Sequence, residues 1–215
     1  MAPRLPHERV PMSIRRFILI LFTMVTMLPA QSNKLIDPPS TVATTPAPTS
    51  PSVFTTRDRL RWVVLTTVGP KNLTAGVFVA GFNTWRDRPE AYSTHWDGFA
   101  QRYGARLAAG GTSHVLEAGL GSLWGEDPRY FRTTGLSMKG RVGYVIKMTF
   151  MANNRNGKVM PAYARYVAFP ASSFISNEWT PHSQSNTSDA VIRVGLGFLS
   201  RMGENAYKEF IARRK

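Results

Sequence analysis

The chain has 215 residues, 27 Lys and Arg against 13 Asp and Glu, a net charge of +14 and no cysteine. Without cysteine there can be no disulfide scaffold, no cysteine-ligated metal centre and no lipid-modified N-terminal cysteine, so any core must hold without cross-links. The basic balance points to anionic partners.

Residues 1–30 read as a secretory signal peptide. Arg4, Arg9, Arg15 and Arg16 precede an apolar run from Phe17 to Leu28, and Pro29-Ala30 supplies a small residue at the cleavage point. Met12 offers an alternative start. A membrane anchor needs roughly 20 apolar residues, and this run has twelve. Removing four Arg and one Glu with the leader leaves a mature chain of about +11. An exported protein rarely meets nucleic acid. The expected partners are therefore an anionic membrane surface or an acidic envelope polymer, and the expected location is the periplasm or cell envelope.

Residues 31–56 are rich in Pro, Thr and Ser, as in Pro46-Ala-Pro-Thr-Ser-Pro51. Such a segment buries too little apolar surface to order itself and reads as a disordered linker. The domain follows over 57–215, and its expected class is all-α: a single compact bundle of about five to six helices.

Pro70, after Gly69, suits the first turn of a helix through Leu73, Val77, Phe82 and Trp85. The next helix starts near His95 or Trp96 and carries Phe99, Tyr103, Leu107, Val115 and Leu120 at helical spacing. Gly110-Gly111 is a candidate kink, and Gly125 with Pro128 ends the run. A segment from Ser137 to Ala152 closes on the turn Asn153-Asn-Arg-Asn-Gly157. Pro161 opens the following helix, which Pro170 interrupts. Residues 145–169 also permit a β-hairpin. Ser188-Asp189 caps a last helix whose apolar stripe runs through Val191, Val194, Phe198, Met202 and Phe210.

The most distinctive run is Gly125-Glu126-Asp127-Pro128-Arg129-Tyr130-Phe131-Arg132. Arg129 and Arg132 can clamp a phosphate or carboxylate. Alternatively, Glu126 and Asp127 pair with them in a structural corner. Together with the exported leader, Thr67-Val-Gly-Pro70 and Phe174-Ile-Ser176, this run resembles a group of uncharacterised exported bacterial proteins. The resemblance implies a shared fold, and no functional residue can be carried over from it.

From Arg129 through Asn177 there is no Asp or Glu, while Lys139, Arg141, Lys147, Lys158 and others recur among tyrosines. With Arg129 and Arg132, Lys139, Arg141 and Lys147 are the candidate anion-binding residues. His114 and Glu117 share a helical face and are the candidate catalytic pair. A metal needs three or four ligands, and there is no Gly-x-Ser-x-Gly elbow, no His-Glu-x-x-His and no phosphate loop. The expected function is non-enzymatic association with anionic lipid or polymer through a basic face, with no cofactor. The competing expectation is a periplasmic hydrolase of an envelope lipid or glycan.

Overall fold

The computed structural model describes residues 54–212. The leader and most of the linker lie outside the described residues. The domain is all-α, with a small three-stranded sheet at one edge.

Helix α1 (Thr56–Val68) was not singled out by periodicity, yet its start is well made. The Thr55 hydroxyl accepts from the Asp58 N–H (3.2 Å) and the Asp58 carboxylate accepts from the Thr55 N–H (3.1 Å), a reciprocal cap that satisfies two orphan donors. Helix α2 (Pro70–Trp85) begins on Pro70 as expected. At the junction, a Cβ on Gly69 would lie 2.0 Å from the Leu65 carbonyl oxygen. Only glycine fits where the two helices meet. The span Thr56–Trp85, which takes in α1 and α2, includes a stretch of mean hydropathy 1.3 and is long and apolar enough to cross a membrane by length and composition.

Helix α3 (Trp96–Trp124) is central, packing on α1, α2 and α5 (Tyr163–Ile175). Its 29 residues run about 43 Å, and Gly110-Gly111 does not break it, because neighbours on several sides hold the backbone helical. It ends where expected, on Gly125 at φ 72°, a left-handed conformation that favours glycine. The 86–95 loop is tied back by Arg102, whose guanidinium donates to the carbonyls of Arg88, Pro89, Tyr92 and Ser93.

A hairpin with strands over 145–151 and 163–169 is not what forms: those residues are helical except Met151, and a shorter hairpin lies between the helices. Helix α4 (Met138–Phe150) leads into β2 (Met151–Asn154), the turn, β3 (Val159–Pro161) and then α5. Strand β1 (Glu126–Asp127) pairs antiparallel with β2, setting Glu126 opposite Asn154. Pro170 sits inside α5 without ending it. Helix α6 (Thr187–Phe210) is capped by Asn186, two residues before the expected Ser188; the Asn186 Oδ1 accepts from the Asp189 N–H at 2.8 Å.

One cluster of buried apolar side chains joins Trp62, Val63, Val115 and Ala118, with Phe54 against it, and Val145, Met148, Phe169 and several alanines are buried elsewhere in the domain. Arg59, Arg102, Glu117, Arg165, Arg201 and Glu209 are all buried with it or beyond it. Meanwhile large apolar side chains stand outside, Phe78 at 74% and Trp85 at 80% exposure among them.

Candidate functional site

Two carboxylates organise the interior. Glu117, on α3, is 2% exposed. Its Oε1 accepts from Arg165 Nε of α5 at 3.0 Å, and its Oε2 accepts from Arg201 Nη2 of α6. Arg165 also donates from Nη1 to the Thr149 carbonyl at 2.6 Å and the Met148 carbonyl at 3.2 Å, covering the open end of α4, where cations are favoured. Arg201 stands 3.4 Å from Glu204, which Lys208 meets at 2.6 Å. Burial opposes the charge on Glu117, but Arg201 and Arg165 override it and hold the carboxyl below its ordinary value.

His114 lies one turn before Glu117. Its Nδ1 is 3.0 Å from the Thr67 hydroxyl of α1, and its ring meets Trp62 edge-on at 5.5 Å. Burial, then the Arg201 charge, pushes its pKa down to about 4, so the imidazole is neutral at pH 7. The pair expected from sequence to be catalytic therefore stands in a cross-link joining α1, α3, α5 and α6. Both Glu117 oxygens are occupied by guanidiniums.

Glu209, near the end of α6, is the second centre and is fully buried. It accepts from the Tyr130 hydroxyl (3.0 Å), the Thr133 N–H (3.2 Å), the Thr133 hydroxyl (3.1 Å) and Arg141 Nε (2.7 Å). Arg141 Nη2 donates to the Glu209 carbonyl at 2.5 Å, and Arg132 Nη1 to that of Ala212 at 3.1 Å. Burial, then the bond to Glu209, raises the Tyr130 pKa. The distinctive 125–132 run and the residue after it thus fasten the C-terminal end of α6 to the body.

The first half of that run makes the structural corner. The Glu126 carboxylate accepts from the Ala164 N–H at 3.1 Å, capping α5 where Ala162 has no side chain to do so. Burial raises the Glu126 pKa, and the Ala164 bond opposes it. Arg59 Nη2 donates to the Glu126 carbonyl at 2.7 Å. Asp127 takes Arg129 through Nη2 at 2.7 Å and Nε at 3.0 Å, and the Phe54 ring lies 4.3 Å from that guanidinium. Arg129 and Arg132 therefore have separate partners, as do Arg129 and Glu117. Beside Gly125, Glu126 and Arg155 is a cavity of about 10 Å³, the room of a single water. An open hollow of about 290 Å³ adjoins it, lined by Leu123, Trp124 and Arg155. No group of three or more possible metal ligands occurs among the described residues.

The five candidate anion-binding residues do not share one face. Arg129, Arg132 and Arg141 are engaged as above, while Lys139 and Lys147 are exposed on α4. Of the other cations in the acid-free run, Arg165 is buried and Arg155 and Lys158 are exposed on the β2–β3 turn. The acids that balance the inward cations, Glu117 and Glu209, come from outside the run. Sequence reasoning missed Arg201 and Glu209 altogether. Their signal was present: Arg201, Asn205 and Glu209 follow at four-residue spacing, a second stripe on α6.

Compared with known proteins, the chain matches no family model, no curated protein and no solved structure.

Proposed function

We propose that this chain is an exported, non-enzymatic protein of the cell envelope whose helical domain associates with anionic lipid. The observation that carries this reading is the division of its charges. The described carboxylates at the centre are spent on internal arginines, while Lys139, Lys147 and Lys158 remain outward on a segment that contains no acid, with Arg155 exposed beside them and donating to the Ser122 carbonyl at 2.9 Å. Outward cations near a membrane contribute about 1 kcal/mol each. Exposed Tyr163 and Tyr166 accompany them, and such amphipathic rings suit the water–lipid boundary. The hydrolase reading has no comparable support, because Glu117 offers no unoccupied oxygen.

Flotation of the full chain with vesicles tests the proposal. It should co-float with anionic vesicles, less with zwitterionic ones, and the difference should shrink at high salt. Lys139→Ser with Lys147→Ser should weaken the anionic preference by about tenfold or more. No preference for anionic vesicles would refute the reading.

A further inference from the structure

We propose that the outward faces of α4, α5 and α6 form one apolar plateau that inserts into an anionic leaflet, with α6 lying along its interface. This rests on the lipid reading above and adds where and how the domain meets the lipid.

Helix α6 is oriented inside out. Val191, Ile192, Leu196 and Leu199 are 59%, 59%, 56% and 60% exposed, and the outward positions between and around them are Thr, Ser and Gly. Its charged Arg201 and Glu209 are buried. Over 24 residues, about 36 Å, the other charged side chains, Asp189, Arg193, Glu204 and Lys208, are only partly exposed, and Glu204 is paired with Lys208. Helix α5 repeats the pattern: its one charged residue, Arg165, is buried, whereas Tyr166, Val167, Phe174 and Ile175 are exposed. On α4, Val142 and Ile146 are exposed in the same way.

The three helices meet through one ring. The Phe198 ring of α6 stacks on Phe150 of α4 at 5.3 Å and meets Tyr166 of α5 at 6.2 Å. An exposed apolar surface spread over three helices marks something that covers it. The charge at its border selects the occupant. Lys139 and Lys147 stand on α4 itself, and Arg155 and Lys158 on the turn between α4 and α5. No acid occurs from Arg129 through Asn177. A second copy placed on this face would bring like charges together. Anionic headgroups satisfy the cations while acyl chains cover the apolar residues, which is the arrangement of an interfacial amphipathic surface. Insertion strips water from no carboxylate on α4 or α5, and of the two partly exposed carboxylates on α6, Asp189 and Glu204, the second is already paired with Lys208.

The absence of cysteine permits a direct test on the full chain. Leu196→Cys and Leu199→Cys, each carrying an environment-sensitive fluorophore, should shift to the blue on anionic vesicles and be quenched by brominated acyl chains. The same label on Glu90→Cys, in the exposed 86–95 loop, should do neither. Leu196→Asp with Leu199→Asp should cut binding that survives high salt by at least about tenfold, with the circular dichroism of the parent. Three results would overturn the inference. Unshifted labels on a chain that still floats would mean purely electrostatic attachment and leave the functional reading standing. A stable dimer without lipid, abolished by the same substitutions, would give the face to a second copy. No flotation at all would defeat both proposals together.

Discussion

Glu117 and Leu196 occupy opposite situations from those their chemistry favours in water. Glu117 sits at the centre of the domain with Arg165 and Arg201 on its two oxygens and 2% of its surface exposed. Leu196 stands outside at 56%. Burying a charge is costly unless it is paired and hydrogen-bonded, and an extended exposed apolar face invites association. The first condition is met inside the domain by internal arginines. The second is what a lipid surface would satisfy from outside. The contrast also separates two jobs that a basic segment can do: Arg141 and Arg165 hold helices together, and Lys139 and Lys147 face outward.

Variants can break the inner half of this contrast. The largest effect should come from Arg201→Met, which leaves Glu117 with one partner. Chemical denaturation should show a loss of about 3–5 kcal/mol. Replacing Glu117, Arg165 and Arg201 together by Leu, Met and Met should restore most of it, since no buried charge then remains unpaired. Next, Glu209→Gln weakens a charge-assisted set that ties Tyr130, Thr133 and Arg141 to α6, and should cost about 1.5–3 kcal/mol.

His114 gives a pH signature. Its folded pKa is about 4, against about 6.5 in the unfolded chain. The unfolded state therefore takes up the proton first as pH falls. Stability should drop as pH goes from about 6.5 towards 4, and that slope should flatten in His114→Gln. Below this window Glu117 and Glu204, both held low by Arg201 despite burial, should add a further loss as they protonate. Urea midpoints across the range would show both phases. The smallest effect should be at the edge: Thr55→Ala removes the cap of α1 and should cost about 1 kcal/mol.

Much of the fold was legible because its signals are local. Pro70, the stretch from Trp96 to Gly125, and the Asn153–Gly157 turn mark their own places in the chain. Gly110-Gly111 does not split α3 and Pro170 does not end α5, for the reverse reason, since packing around both helices outweighs a local propensity. The candidate site was legible only in part. His114 and Glu117 share a face by simple helical spacing, but the partners that define their role lie 48 and 84 positions from Glu117. No local pattern encodes such distances. On α6 the expected stripe is half right: Val194, Phe198, Met202 and Phe210 are partly buried and Phe198 packs on Phe150, Tyr166 and Phe169, while Val191 faces out. The fully buried positions, Ala190, Arg201, Asn205 and Glu209, form a neighbouring and more polar stripe.

The central claim, that the paired charges at Glu117 hold the interior together while Leu196 adds little from the outside, is tested most directly by melting two variants beside the parent in aqueous buffer. Glu117→Gln should lower the Tm by about 10 °C. Leu196→Asp, a charge placed on an apolar face, should leave it within about 2 °C of the parent. A large loss at Leu196 together with tolerance at Glu117 would contradict the account.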